Sequence, residues 1–391
     1  MKAEHLNQRV RLQKPLKLRK VCFEDYPQIA ALVSKFHLQF ESYDGWKHLW
    51  INNPAYRELG DKVPMGWVLE DGEGAIVGYL GNIPLDYEFE GKRLLVATTR
   101  AWVVDTPYRS YSPLLLATYF QQSNVDLFLS TTLNSQSEPV YSNFGTIRVP
   151  VGRWDRTLFW ITHYPGFTES FLRKRSISMA RAMSYPLAVG LSLYDQLRGS
   201  RVRRNAAAPM VTTVAAFDDR FDAFWEALRN KKRNVLLAVR SKEALEWHFR
   251  TPLAHGAAWI YVVEGGPGLT AYSVFLRDDY PEIGLTRMRL VDFQCLGRET
   301  APHLLAAMLH AAMDRCRRGS IHMLELVGLP PEFENTLRRA SPHVRSLPNW
   351  LYFYKANNPT LAEALKPAAV WQPLLFDGDS SLWSEAISSI A

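Results

Sequence analysis

The stretch that decides the fold reads Asp105-Thr-Pro-Tyr-Arg109-Ser110-Tyr111-Ser112-Pro113-Leu114 and, twenty residues on, Asn134-Ser-Gln-Ser137-Glu-Pro-Val-Tyr141-Ser-Asn-Phe-Gly145-Thr146. An apolar run, Leu94–Val104, leads into the first part and reads as a strand. A second run, Leu114–Phe120, leaves it and reads as a helix. Small side chains at Ser110 and Ser112, with Pro113 suited to a first helical turn, predict free backbone N–H groups at a helix N-terminus. Such a turn can hold a phosphate, and Arg109 adds a charge-assisted contact. An ordinary Ser-Pro helix start accounts for the same residues. Asp126–Thr131, short and apolar, reads as a buried strand next to Leu94–Val104.

Upstream, Gly66–Glu70 and Ala75–Ile83 alternate as strands around Asp71-Gly72, a strong turn dipeptide. The order helices, hairpin, strand, turn, helix, strand is an α+β or mixed α/β pattern. It occurs twice. Trp50, Pro54, Trp67, Tyr79, Arg100 and Asp105 in the first half are matched in order by Trp247, Pro252, Trp259, Tyr272, Arg289 and Asp292. Trp67 to Tyr79 is twelve residues, and Trp259 to Tyr272 is thirteen. The repeat predicts a tandem duplication, with domains at 15–165 and 210–358, a basic helical linker at 166–209 and a tail at 359–391.

The chain resembles the GNAT superfamily of acyl-CoA-dependent N-acyltransferases. There a strand leads to an R/Q-x-x-G-x-G/A turn around the CoA pyrophosphate, and a later helix reads N-x-x-A-x-x-x-Y-x-x-x-G-F. Arg109, Asn134, Tyr141 and Gly145 keep that pattern. Ser112 and Leu114 replace the two small turn residues, Ser137 replaces Ala, and Thr146 replaces Phe. Serine lets a backbone approach a phosphate, whereas leucine crowds it. The resemblance implies two tandem GNAT-like domains. The donor, acetyl-CoA or another acyl-CoA, would lie along the backbone of Ala101, Trp102, Val103 and Val104, held by Arg109, Ser110, Tyr111, Ser112, Leu114 and Asn134. Tyr141 would protonate the departing thiolate. On spacing alone, Tyr141 also reads as a core tyrosine on an apolar helix face. Members linked to bacterial polysaccharide or cell-envelope synthesis are similar, which implies an amino sugar or other small-molecule or glycan amine as acceptor. Asp86 and Glu88 are candidate general bases or a solvated hairpin face. The second half lacks both motifs, so it is expected to keep the fold without its own CoA site.

Composition sets the outer limits. With 391 residues, 47% hydrophobic, 12 Trp and 17 Tyr, the chain is globular rather than disordered. Cys22, Cys295 and Cys316 have no metal-ligand spacing, and no His arrangement such as H-E-x-x-H occurs, so no metal is expected. The net charge of +7 is located: residues 173–204 hold eight basic residues and one acid, so the remainder sums to zero. That argues against a nucleic-acid surface spread over the protein. Ser176–Tyr194, apolar between Arg-rich ends, reads as a packed interdomain helix pair, a membrane-surface helix or, with Arg181, Pro186 and Gly190 against it, a span. Its charge equally suits an acidic acyl carrier protein. Asp377-Gly378-Asp379 reads as a turn, with a D-x-D metal motif as the alternative. Without a secretory signal, a cytoplasmic protein, with or without membrane contact, is expected.

The leading expectation is therefore an N-acyltransferase. A long-chain transferase fed by acyl carrier protein and a silent GNAT-fold binding or assembly protein are the alternatives.

Overall fold

The computed structural model describes residues 16–382 apart from 39, 134, 152–155, 199–208, 267, 329–332, 334–336, 338–341 and 348–350. Asn134, Asn205–Ala208, Arg201, Arg203, Arg204 and Leu329–Glu332 thus lie outside the described residues.

Among the described residues fifteen strands form two mixed sheets: β1 (Lys17–Lys20), β2 (Gly66–Glu70), β3 (Ile76–Phe89), β4 (Lys92–Val104), β5 (Leu127–Leu133), β6 (Ile147–Arg148), β7 (Arg156–Ile161), β8 (Thr212–Val214), β9 (Leu237–Ala238), β10 (Ala258–Gly265), β11 (Gly268–Arg277), β12 (Arg287–Cys295), β13 (Met323–Val327), β14 (His343–Ser346) and β15 (Leu351–Ala356). The first sheet runs β1-β2-β3-β4-β5-β15-β6, with β9 also paired to β3. The second runs β14-β7-β13-β12-β11-β10-β8. Among the described residues the β4–β5 and β12–β13 ladders are parallel and the other ladders antiparallel. The chain is mixed α/β with two mixed sheets, as the sequence predicted.

Strand β3 runs past the predicted end at Ile83 to Phe89 and turns through Glu90 and Gly91, both at positive φ (53° and 76°). Two such residues make the turn type whose twist suits a hairpin. The extended edge of β3 then receives β9, at Tyr87 and Glu88.

The sheets do not follow the sequence halves. The strand β7, from the segment 15–165, pairs with β13 and β14 in the second sheet. Strands β9 and β15, from 210–358, join the first. Boundaries at 165 and 210 therefore do not divide one sheet from the other. Repeat spacing cannot reveal this, because an exchanged strand keeps its own period and changes only its neighbour.

Helices α1 (Tyr26–Ser34) and α2 (Tyr43–Ile51) from the first half, and α8 (Asp219–Lys231) and α9 (Lys242–Ala254) from the second, share one apolar cluster with the inner faces of both sheets. Trp46, Trp50, Phe221 and Phe249 are fully buried there. His48 and Trp247 tie α2 to α9 by reciprocal bonds, His48 Nε2 to Trp247 O at 2.9 Å and Trp247 Nε1 to His48 O at 3.2 Å. Helix α4 (Ser112–Phe120) covers the outer face of the first sheet and α10 (Ala301–Arg318) that of the second. Between β7 and β8 lie α6 (Tyr164–Lys174) and α7 (Ala180–Leu197), packed on each other as a hairpin. Among the described residues no helix is long and apolar enough to cross a membrane, which sets aside the spanning reading of Ser176–Tyr194.

The tail is no loose appendage. Residues 371–382 are almost wholly buried, and Trp371, Leu375 and Phe376 belong to the shared core.

Candidate active site

Strands β4 and β5 pair only from Val96–Leu127 to Thr98–Leu129. Beyond that rung β4 continues to Val104 beside β3, while β5 continues to Leu133 beside β15. The two parallel strands thus open into a fork. At its mouth β4 carries a bulge, where Tyr79 to Gly81 faces Arg100 to Val103, one residue longer. The extra residue is Ala101, held at φ +54°, a conformation non-glycine residues rarely adopt. Gly81 makes room for it: a Cβ there would come within 2.5 Å of Arg100 O. Ala101, Trp102, Val103 and Val104 therefore border the fork, with no ladder from β5.

Neighbouring residues in a strand point to opposite faces, so the first two unpaired rungs serve different sides. On the outer face, Tyr141 from the short helix α5 (Glu138–Asn143) reaches the Thr99 hydroxyl at 3.3 Å. Its ring meets Trp102 edge-on at 5.7 Å. Burial pushes the Tyr141 phenol up to about 12, against hydrogen bonds from Thr99 and Ser130 that pull it down. It is a permanent hydrogen-bond donor near neutral pH. The Trp102 indole N–H, buried in the same wall, has no hydrogen-bond partner among the described residues.

On the inner face the tail enters. Asp379 accepts from the Thr131 hydroxyl at 2.9 Å, and its carbonyl accepts from Arg100 Nη1 at 3.1 Å. Arg100 also pairs with Glu41, which is 2% exposed and whose Oε2 has no hydrogen-bond partner among the described residues. Burial holds Asp379 above the usual carboxylate range, opposed by the Arg100 charge. Gly378, at φ +106°, allows the approach, since a Cβ would lie 2.5 Å from Thr131 Cγ2. A phenol and a carboxylate thus flank the first open rungs from opposite faces.

The turn after β4 differs from expectation. Thr106–Tyr111 is a 3₁₀ turn that runs straight into α4. The helical N-terminus is capped by Asp105, whose carboxylate accepts the Thr106 N–H at 3.2 Å and pairs with Lys35 at 2.9 Å. Helical continuity, not an open loop, absorbs the N–H groups that Pro113 and the serines were expected to free; the Ser112 N–H bonds to Arg109 O. Arg109 and Ser110 stand exposed at the surface, Tyr111 and Ser112 are half-buried, and Leu114 is exposed.

Asp86 and Glu88 are held elsewhere, Asp86 by Arg93 at 2.8 Å and Glu88 by Arg229 at 3.0 Å. They are ion-pair residues of the hairpin. Asp377, three-residue partner of Asp379 in the sequence pattern, pairs with the buried Arg240 at 3.1 Å. Each carboxylate of that pattern has its own arginine, and among the described residues no group of three or more His, Cys, Asp or Glu side chains could hold a metal ion.

The second sheet repeats the fork. Strands β12 and β13 pair from Arg287–Met323 to Leu290–Leu326, and β12 bulges against β11 between Leu290 and Asp292. The Phe376 N–H donates to Val291 O at 3.0 Å, so the tail itself lies on the bulged strand. Glu41 and Thr131 are members for which the sequence suggests no role; Arg100 stands out there only as a position of the repeat, and Asp379 only as part of a turn or a D-x-D pattern. The signal was present in the acids of Leu374–Asp379, which follow three apolar residues too closely for a solvated turn.

No known family profile matches the chain, and no curated protein matches it. Solved structures do. A GCN5-related N-acetyltransferase from Anabaena variabilis is 12% identical with a TM-score of 0.54, over 88% of this chain and 73% of that one. The Saccharomyces cerevisiae N-myristoyltransferase with bound myristoyl-CoA is 10% identical with a TM-score of 0.53, over 90% and 83%. An Enterococcus faecalis protein of unknown function, described as a probable N-acyltransferase, is 11% identical with a TM-score of 0.54, over 88% and 72%. Identities this low establish the likeness of fold alone.

Proposed function

We propose that the chain transfers an acyl group from an acyl-CoA to an amine, with the donor lying in the β4–β5 fork of the first sheet. The observation that carries the proposal is the pair of groups at the fork: the Tyr141 hydroxyl on one face and the Asp379 carboxylate on the other. The GNAT-like fold of the neighbours, one of which holds myristoyl-CoA, supports it.

In this reading the pantetheine amides follow the backbone of Ala101–Val104, and the Trp102 indole gains the acceptor it lacks. The thioester oxygen, negative as the tetrahedral adduct forms, faces N–H groups of the strained bulge, a fixed donor set that needs no reorganisation. The amine enters from the side of Glu41, Arg100 and Asp379. Glu41 Oε2 receives an ammonium, and Asp379 takes its proton so that nitrogen can attack. The C–N bond forms and the C–S bond breaks; the second proton on the attacking nitrogen passes to the departing thiolate beside Tyr141, leaving the amide, the free thiol and one proton on Asp379. A phenol near 12 gives up its proton to a thiolate of pKa about 8.5 only uphill, by about 5 kcal/mol. Tyr141 therefore donates a hydrogen bond to sulfur rather than a full proton. Arg109, Ser110 and Ser112 approach the CoA phosphates from outside the turn, as side chains. The acceptor is a small-molecule or glycan amine, such as an amino sugar or envelope precursor.

Isothermal titration with CoA, acetyl-CoA and myristoyl-CoA, beside Arg109→Ala, tests the donor site. Loss of one charged phosphate contact weakens binding by about ten- to a hundredfold, roughly 1.5–3 kcal/mol. No binding of any of the three sinks the free-CoA reading.

A further inference from the structure

Helix α7 is built inside out. Its inward positions, spaced by four, four and seven residues, are Ala180, Ser184, Ala188 and Asp195. They face polar partners: Thr168 Oγ1 donates to Ser184 O at 2.9 Å, and Asp195 accepts from Tyr164 at 3.0 Å and contacts His343 at 3.0 Å. Its outward positions are the apolar ones. Tyr185 is 65% exposed, Val189 61% and Leu197 89%, with Met183, Leu187 and Leu193 on the same arc. A surface helix in water shows the reverse arrangement. Between Arg181 and Arg198 the sole charge is Asp195, which points inward. Ten of the eighteen exposed large apolar side chains among the described residues fall between Phe171 and Leu197, a concentration that marks an interaction surface rather than scattered exposure.

The charge at its edges selects the occupant. Arg173, Lys174 and Arg175 at the end of α6 and Arg181 and Arg198 near the ends of α7 are exposed. Arg175 lies over Phe171 at 5.6 Å and Arg198 over Tyr194 at 5.2 Å, so the cations rim the apolar arc. A second copy of this chain would set like charge against like across a two-fold contact. An apolar arc rimmed by cations matches acyl chains beneath anionic headgroups, and a helix of about 27 Å lies along such a surface.

We infer that the α6–α7 hairpin seats the protein on an anionic lipid bilayer, with the outer arc of α7 in the headgroup and acyl boundary. The inference stands apart from the proposed acyl transfer, since it uses none of the fork residues.

Flotation of the full chain with vesicles of phosphatidylcholine alone, and of phosphatidylcholine and phosphatidylserine in about 7:3 ratio, tests it. Binding to the anionic vesicles, weakening with salt and at least tenfold poorer on neutral ones, is expected. Leu187→Ser with Leu193→Ser reduces partition more than tenfold. Arg175→Gln and Arg198→Gln reduce it roughly fivefold each, the worth of one cation near such a surface. These side chains are exposed, so unchanged thermal midpoints show that the variants fold. No binding to anionic vesicles, or equal binding by the leucine variant, overturns the inference. So does a wild-type dimer in sedimentation equilibrium that the leucine variant turns into a monomer, because that would make the arc a contact between copies.

Discussion

Replacing Arg240 by Met removes a buried cation that clamps the tail to the second sheet. The side chain is 1% exposed; its guanidinium holds Asp292 at 3.0 Å and Asp377 at 3.1 Å, donates to Ala238 O at 2.8 Å, and lies 4.6 Å over the Phe376 ring. Methionine keeps most of the stem and its packing but leaves two carboxylates buried. Tyr272, at 2.6 Å from Asp292, and the Leu374 N–H, at 2.7 Å from Asp377, remain as donors. Breaking a buried ion pair by deleting one partner costs roughly 3–5 kcal/mol. The cost depends on pH, and its sign follows from protonation. Burial already holds Asp377 above the usual carboxylate range while Arg240 pulls it down. Without that pull its folded pKa rises further above the unfolded value, so the folded state binds the extra proton. The variant then recovers stability as pH falls through that raised value and is most destabilised well above it. Urea unfolding followed by tryptophan fluorescence at pH 8 and pH 5.5 reads both quantities. Arg240→Lys, which keeps a charge, recovers part of the loss. A cost under about 1 kcal/mol, or one equal at the two pH values, would refute the clamp.

Three further outcomes follow from the same geometry. Tyr141→Phe keeps the ring contacts with Trp102 and Phe120 and removes one hydroxyl, so steady-state thiol release should fall about ten- to a hundredfold in kcat with KM unchanged. Asp379→Asn keeps a group of the same shape between Thr131 and Arg100, so the thermal midpoint holds while the rate drops at least about a hundredfold; the acid limb of the pH–rate profile, set by a carboxylate held above its ordinary range, disappears. His248, bonded to Ser381 at 2.7 Å, is pushed down to about 3 by burial, so the folded protein keeps it neutral where the unfolded chain takes up a proton. Its stabilising share is whole above about pH 6.5 and is lost as pH falls towards 3, at up to about 1.4 kcal/mol per unit; a urea series between pH 7.5 and 4.5 on wild type and His248→Gln measures it.

Much of this was legible in the chain before any coordinates. The succession of elements along the chain, the hairpin at Asp71-Gly72 and the β4–turn–helix–β5 unit followed from periodicity and turn chemistry. Three things did not. The exchange of β7 and β15 between sheets leaves no mark on either strand, because hydrophobic alternation fixes which face is buried and not which neighbour is paired. The closed form of the Thr106–Tyr111 turn depends on Asp105 capping the helix about two turns earlier than Ser112 and Pro113 suggested. The role of the tail depends on long-range pairing: Asp377 and Asp379 resemble an exposed turn locally, and only Arg240, Arg100 and Thr131, all more than a hundred residues away in the chain, show that they are buried.

Hydrogen exchange of the full chain with and without saturating acyl-CoA compares the two forks directly. A donor in the first fork slows exchange at Ala101–Val104, where β5 offers no ladder, and leaves β12 at Val291–Cys295, already covered by the tail, unchanged. Slowing confined to β12, or no change at Ala101–Val104 when binding is saturated, would contradict the placement of the donor between β4 and β5.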